Sequence, residues 1–149
     1  MRDPVFTDTI QIALVVRDIE ATMRTYVHDY GIGPWDVYEF NPGNVQEMHE
    51  GGKPVERSWR LALAQVGEVQ WELVEPQDDD SVYARFLAEH GPGVHHVGVA
   101  AAAELGGTYN GVTFSYLSTD RDLGIVTEIF DGAPGRDQQP DAVYPPTAR

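Results

Sequence analysis

The stretch that most constrains this chain is Gly93–Ala100, which reads Gly-Val-His-His-Val-Gly-Val-Ala and completes a Gly-Pro-Gly turn. Two adjacent histidines lie inside an apolar run that is typical of a β-strand. Neighbouring side chains in a regular strand point to opposite faces, so only one histidine can face a site within the sheet. We predict that His96 faces the site and that His95 points away. A register error of one residue would exchange the two.

Three other strand-like stretches share this pattern, because each carries one polar, metal-competent residue inside an apolar run. The four polar residues are Gln11, Glu72, His96 and Glu128. Each residue alone would more commonly face solvent or pack in the core. Their recurrence at matching places predicts that four strands deliver them to one metal ion. An imidazole, two carboxylates and an amide oxygen form an oxygen-rich donor set that suits a hard divalent cation.

The chain is predicted to be one domain over residues 1–149 that contains an internal repeat. Module one, about 9–76, contains a strand, a helix over Ile19–Tyr30 and three further strands. A linking helix over about 80–90 leads to module two, about 94–131. Only Ala101–Leu105, about one helical turn, stands where a second-module helix would recur. Either module two is abridged or a segment is missing from this sequence, and residues 132–149 are predicted to be a flexible tail.

Composition excludes several classes of site and partner. The formal net charge of −14 disfavours nucleic acid and anionic membranes as partners. The absence of cysteine excludes disulfides, thiolate metal sites and a cysteine nucleophile. No apolar run approaches the ~20 residues of a membrane span, and no signal peptide is recognisable at the N-terminus. We therefore expect a cytoplasmic protein.

Some further residues are weaker candidates for function. Glu47 and His49 lie in a long, glycine-rich loop over Asn41–Pro54, which could close over a substrate, although solvated loop residues are the commoner case. Arg60 could bind an anionic group, but a surface ion pair is the more usual role. Several aromatic residues are expected in the core or the pocket wall: Trp35, Tyr38, Trp59 and Trp71.

Five stretches of the chain resemble the vicinal oxygen chelate superfamily, which includes glyoxalase I, methylmalonyl-CoA epimerase, ring-cleaving dioxygenases and fosfomycin or bleomycin resistance proteins. They are QIALVVRD with the following helix, GIGPW, RLALAQVGEVQWELVEP, GVHHVGVA and SYLSTDRDLGIVTEIF. The resemblance covers roughly residues 9–131, with a gap after Ala103, and is greatest to the methylmalonyl-CoA-epimerase-like branch. It implies an α+β fold in which paired βαβββ modules form an open, cup-shaped mixed sheet around a divalent metal. It puts the family's ligands on the four polar residues named above.

The ligand set departs from that of the epimerases. They usually have histidine where this chain has Gln11, and glutamine is common where it has Glu72. The set Gln/Glu/His/Glu instead resembles that of one group of glyoxalase I enzymes. Extradiol dioxygenases use two histidines and one glutamate on iron, so oxygen activation is disfavoured. The scaffold and the ligand set therefore point to different substrates.

The resemblance implies a metal-dependent isomerase, epimerase or lyase that abstracts a proton α to a carbonyl, with the enediolate or enolate stabilised by the metal. Glu128 is the first candidate for the base, because its counterpart in glyoxalase I is both ligand and base. Glu72 could serve the opposite face of the substrate. Zinc, nickel, cobalt, manganese and magnesium all accept such ligands. We expect a small carbonyl or acyl-thioester substrate and a homodimer.

Two alternatives remain open at this point. The first is a non-catalytic binding or antibiotic-resistance protein that sequesters an aromatic or natural-product ligand, which the shortened second module favours. Drug-sequestering relatives generally lack a full ligand set, whereas this chain has one. The second is a tailoring enzyme of secondary metabolism with related metal chemistry on a larger substrate.

Overall fold

Ten strands and two helices make up the part of the chain that the computed structural model describes, residues 6–45, 48–50, 52–101, 113–117, 119, 121, 124–131 and 139–146. The helices are α1 (Ile19–Tyr30) and α2 (Val82–His90). The strands are β1 (Phe6–Val15), β2 (Trp35–Phe40), β3 (His49–Glu50), β4 (Lys53–Pro54), β5 (Trp59–Val66), β6 (Val69–Pro76), β7 (Gly93–Ala101), β8 (Thr113–Leu117), β9 (Val126–Asp131) and β10 (Ala142–Tyr144). The predicted α+β class is confirmed.

Eight strands form one mixed sheet in the order β10-β2-β5-β6-β1-β7-β9-β8. At its centre β1 and β7 pair antiparallel, while each pairs in parallel with the last strand of its own module, β6 or β9. The strand, helix and three strands predicted for module one are present. In module two the described residues supply β7, β8 and β9. The predicted helical remnant Ala101–Leu105 lies outside the described residues, except that Ala101 ends β7.

Helix α1 covers the outer face of the sheet and begins and ends where the sequence predicts. The Asp18 side chain caps its N-terminus by accepting a hydrogen bond from the Ala21 amide at 2.8 Å. Gly31, with φ of 68°, ends it in the left-handed conformation that glycine adopts without strain. Ile19 and Met23 are buried in a core cluster with Trp35, Val37, Ala62 and Leu73. This cluster anchors the strands that carry the polar residues on the opposite face.

Helix α2 and the loop after β2 cover one end of the inner face, the face that carries Gln11 and Glu72. Tyr83 of α2 packs in a second core cluster with Val15, Val74 and Leu61 of β1, β6 and β5. Val45 and Met48 of the loop join the same cluster, and β3 and β4 form a short hairpin within the segment predicted as a loop. The inner face is therefore apolar at this end.

The prediction of a flexible tail over 132–149 is wrong for part of that segment. Ala142–Tyr144 forms strand β10, which pairs antiparallel with β2 and becomes an edge of the sheet. The Asp141 side chain also accepts a hydrogen bond from the Glu39 amide at 2.8 Å. Proline-rich composition favours an irregular chain, but three paired residues and one side-chain hydrogen bond hold residues 141–144 against β2.

No helix in the described ranges combines the length and apolar character that crossing a membrane requires.

Asp78 stabilises the turn that leads into α2, and we expect Asp78→Asn to lower the free energy of unfolding by about 1–2 kcal/mol. Its carboxylate accepts hydrogen bonds from the Ser81 amide at 2.7 Å, the Ser58 amide at 2.9 Å and the Asp80 amide at 3.1 Å. Partial burial alone would raise the pKa of Asp78, but these bonds outweigh it and lower the pKa. Urea unfolding at pH 7 measures the loss, with the exposed Asp79→Asn as the matched control.

The pH dependence of this effect has a definite sign. The folded-state pKa is depressed, so the stabilisation by Asp78 is complete above the unfolded value of about 4 and disappears as the pH falls through the folded value. The gap between wild type and Asp78→Asn should therefore narrow in acid. A gap that is constant from pH 7 to pH 3 would contradict this role of the carboxylate.

Candidate metal centre

The four polar residues predicted to bind a metal lie on the inner face of the four central strands, in two adjacent rows. In one row Gln11 of β1 pairs with Gly98 of β7, which pairs with Glu128 of β9. In the other row Ala13 of β1 lies between Glu72 of β6 and His96 of β7. Each row thus holds two functional side chains and a small residue. Ala13 and Gly98 leave the space in which the four longer side chains meet.

Gly98 is required for this close approach. A Cβ atom on Gly98 would lie 2.5 Å from Cε2 of Phe130 and 2.9 Å from Cβ of Gln11. It would also lie 3.3 Å from the Gln11 amide oxygen. Only glycine therefore lets Gln11 and Phe130 lie against the same point of the β7 backbone.

The ligand atoms of Glu72, His96 and Glu128 lie within 4.8 Å of one another, around Nε2 of His96. This nitrogen lies 3.2 Å from Oε2 of Glu72 and 3.1 Å from Oε2 of Glu128. The Gln11 amide oxygen lies 3.1 Å from each of the same two carboxylate oxygens. All four residues are buried, with exposures of 0% for His96, 3% for Gln11, 4% for Glu128 and 5% for Glu72.

These atoms fit a divalent cation. His96 Nε2 is buried without a well-formed hydrogen bond. The Gln11 amide nitrogen donates to Oε1 of Gln70 at 2.9 Å, which turns the amide oxygen toward the two carboxylates. In this orientation the amide oxygen faces two carboxylate oxygens, and the three repel one another unless a positive charge lies among them. Turning the amide over would let its nitrogen donate to both carboxylates at 3.1 Å, which is the orientation that satisfies the amide when no cation is bound. A cation among the oxygens would reverse that preference.

The charges in the site are strongly coupled. Burial alone would lower the pKa of His96, but the close contacts with Glu128 and Glu72 and their negative charges outweigh it and raise the pKa to about 9. Burial, with the charge of Glu72, raises the pKa of Glu128 despite opposing contacts from His96 and Tyr116. A positive charge between the carboxylates is thus favoured, as a proton on His96 or as a bound cation.

His95 does not point away from the site, so that prediction is wrong. The pairing register passes from Ala13 opposite His96 to Leu14 opposite Val94, which leaves His95 in a β-bulge. The bulge breaks the two-residue alternation, and Nδ1 of His95 lies 2.9 Å from Nδ1 of His96. Burial and then the charge of His96 lower the pKa of His95 to about 4.

Tyr83 and Tyr116 border the site and were not among the predicted residues. Their hydroxyl groups are 2.5 Å apart. Tyr116 is opposite Glu128 in the β8–β9 pair, and its ring lies 5.0 Å from that of His96. Burial raises the pKa of both tyrosines well above the usual value. Counting residues back across the β8–β9 turn from Glu128 could have identified Tyr116, but no sequence signal identifies Tyr83, which comes from α2.

The weaker candidates lie elsewhere. Arg60 forms an ion pair with Glu20 at 3.2 Å on the outer part of the fold, in agreement with the surface-pair alternative. His49 is exposed on β3, and Glu47 lies outside the described residues. A cavity of about 400 Å³ near the β3–β4 hairpin is lined by none of the four polar residues. Of the predicted aromatic residues, Trp35, Tyr38 and Trp59 are buried and Trp71 is partly buried.

Comparison with known proteins agrees with this architecture. A sequence profile of the glyoxalase/bleomycin resistance protein/dioxygenase superfamily matches residues 10–105. No curated protein matches the sequence. The chain belongs to this superfamily, because the profile covers well over half of it.

Several solved structures share the fold at low sequence identity. Methylmalonyl-CoA epimerase from Mycobacterium tuberculosis is 18% identical with a TM-score of 0.61, over 90% of this chain and 93% of that chain. The Streptomyces coelicolor methylmalonyl-CoA epimerase in complex with 2-nitronate-propionyl-CoA is 21% identical with a TM-score of 0.65, over 86% and 99%. Hypothetical protein BH1468 from Bacillus halodurans C-125 is 17% identical with a TM-score of 0.65, over 88% and 98%. At these identities the likeness is one of fold.

Proposed function

We propose that this superfamily member is an enzyme that binds one divalent metal ion and moves a proton at the carbon next to a substrate carbonyl. The observation that carries the proposal is the convergence of the buried ligand atoms of Glu72, His96 and Glu128, which all lie within 4.8 Å of one another. The residues that would hold the metal are Gln11, Glu72, His96 and Glu128. When bound there, the metal would polarise the carbonyl and stabilise the negative charge that develops on its oxygen.

The two carboxylates suit the proton transfer itself. Glu72 and Glu128 come from β6 and β9, the strands on either side of the β1–β7 pair, and both reach the same imidazole nitrogen. A substrate carbon held between them would present a different face to each carboxylate. Glu128 is the favoured base, because Tyr116 contacts it and fixes its orientation. Two opposed bases support epimerisation, whereas a single base supports isomerisation or a lyase reaction.

The residues around the site indicate the side from which a substrate would enter it. The row beyond the site toward α2 is apolar, with Val15 paired to Val74. On the other side Gln70 is half-buried, and its β5 partner Gln65 is exposed. A substrate would therefore enter past these two amides, with its carbonyl toward the buried acids. Exclusion of water would strengthen each electrostatic contact in the site.

The nearly complete burial of the four residues also favours a second function. A closed polar cluster, with a proton on His96 between the two carboxylates, is a stable core that needs no metal. The inner face could then bind an aromatic or natural-product ligand without chemistry. Such a protein would form a stable complex that requires no metal and yields no product.

Metal content is the first test of the proposal. We expect about one equivalent of a divalent metal in the purified wild type by elemental analysis, and its loss in His96→Ala. His90→Ala is the matched control, because His90 is exposed at the end of α2. The proposal is wrong if the wild type holds no metal even after reconstitution with zinc, nickel, cobalt, manganese and magnesium. That result would favour the second function, a protein that binds a ligand without chemistry.

The metal-loaded protein should also exchange the α-proton of a suitable substrate in deuterated water. A hemithioacetal, an acyl-CoA and an acyl-pantetheine form an informative set of probes, because the epimerases of known structure bind acyl-CoA whereas the ligand set resembles that of glyoxalase I. Deuterium uptake read by mass spectrometry, together with the configuration of the product, distinguishes epimerisation from isomerisation.

A further inference from the structure

We propose that His95 is a positioning residue, which accepts a hydrogen bond from Nδ1 of His96 and so directs the lone pair on Nε2 of His96 into the metal centre. The inference rests on the proposed function, since it deepens the account of the same site. It starts from the β-bulge in β7, which puts both histidine side chains on one side of the strand. Their Nδ1 atoms are 2.9 Å apart, which is hydrogen-bonding distance.

The position of one proton decides whether His96 can bind a metal. Two ring nitrogens at this distance share a single proton. If His96 carries it on Nδ1, a neutral His96 has a free lone pair on Nε2. If His95 carries it, a neutral His96 must carry its own proton on Nε2, which then points at Glu72 and Glu128 and blocks a cation. The first arrangement alone is compatible with a metal in the pocket.

The surroundings of His95 hold its ring in the orientation that this bond needs. Rings on three sides are steeply inclined to it, with centroid distances of 5.2 Å for Tyr83, 5.0 Å for Phe86 and 6.2 Å for Tyr116. These residues come from α2 and β8, so the ring is enclosed by elements outside its own strand. Such packing restricts rotation of the imidazole and keeps Nδ1 directed at His96.

A metal-binding histidine commonly donates its second ring N–H to a carboxylate, a carbonyl or a water, which fixes its orientation and raises its basicity. In this chain a second histidine takes that place. The bulge therefore has a function, because a regular β7 strand would turn His95 to the outer face and leave Nδ1 of His96 without this acceptor. Adjacent histidines in the sequence are then a ligand and its support.

The test compares two substitutions that differ in one acceptor. In His95→Asn the side-chain oxygen is attached to Cγ, as Nδ1 is, and can accept the same bond. In His95→Leu a side chain of similar size has no acceptor. We expect His95→Leu to weaken zinc binding about 10–100-fold in competition with a chelator, and His95→Asn to keep most of the wild-type affinity. If both variants bind zinc as tightly as the wild type does, or if both lose the same amount of zinc affinity, the proposal is wrong.

A spectroscopic readout separates positioning from general damage to the core. In zinc-loaded wild type and His95→Asn, the Nδ1 proton of His96 should give a slowly exchanging downfield NMR signal coupled to ¹⁵N, and His95→Leu should lose it. If His95→Leu does not fold, His95→Gln replaces it, because its amide oxygen lies one bond further out and misses Nδ1. Zinc binding and the proton signal both unchanged in His95→Gln would equally refute the role.

The outcomes distinguish this inference from the proposed function. Wild type that binds no divalent metal refutes the proposed function. If the wild type and His95→Leu bind zinc with the same affinity, only the role of His95 is refuted.

Discussion

Glu128→Gln is expected to lower the rate of α-proton exchange at the substrate face that Glu128 serves at least ~100-fold while the protein remains folded, because a positioned proton acceptor contributes ~10²–10⁴-fold. Glutamine has nearly the same size as glutamate and can stay beside Tyr116, but it cannot take up the proton. Deuterium uptake by the substrate measures the rate, and circular dichroism checks the fold. Glu68→Gln, an exposed residue in the β5–β6 turn, makes the same change in net charge and is the control.

The paired variant Glu72→Gln shows whether one or two bases act. If the two carboxylates serve opposite faces of the substrate, Glu128→Gln and Glu72→Gln should each still exchange the α-proton of one substrate configuration for deuterium. Neither variant should then interconvert the two configurations of the substrate. If Glu128 is the only base, Glu72→Gln should retain the stereochemical course of the wild type. Turnover retained at the wild-type rate in Glu128→Gln would rule out Glu128 as the base.

Gly98→Ala is expected to lower both metal affinity and stability. A methyl group at Gly98 would meet the Phe130 ring at 2.5 Å and the Gln11 Cβ at 2.9 Å, so one of them must move. Overpacking of this kind costs about 1–3 kcal/mol in the free energy of unfolding. Displacement of Gln11 should weaken metal binding by about tenfold or more, in the range seen when the support of a ligand is lost.

The control for this prediction comes from the same strand. A Cβ atom on Gly93 would meet nothing within 4 Å, so Gly93→Ala makes the same chemical change without a clash. Urea unfolding and chelator competition on both variants give the two effects separately. Metal affinity that is unchanged in a destabilised Gly98→Ala would mean that Gln11 is not a ligand.

The sequence singles out Gln11, Glu72, His96 and Glu128 because each is the polar residue inside an apolar run. The register of the parallel β1–β6 and β7–β9 pairs places them on one face of the sheet. The convergence of their donor atoms follows from that register. Metal binding by these residues remains a prediction.

Some parts of the structure could not be predicted from the sequence. They depend on an irregularity in one strand or on contacts between residues far apart in the chain. His95 was assigned to the wrong face because a bulge depends on how β7 pairs with β1, which its local sequence does not encode. Tyr83 and Tyr116 meet over a separation of 33 residues, between a helix and a strand. Strand β10 was not predictable from local sequence, because it is ordered by pairing with β2, which lies about a hundred residues earlier in the chain.

Strand β10 also covers the outer side of strand β2. Without it, β2 would be the outermost strand of the sheet, with a free row of backbone donors and acceptors between Trp35 and Phe40. Such an edge is a template on which a second chain can add a strand and begin to aggregate. A version of the protein shortened to its two modules would therefore keep the four polar residues of the candidate centre but expose the free edge of β2. Residues 142–144 thus cover the backbone of β2, at the opposite end of the sheet from β8.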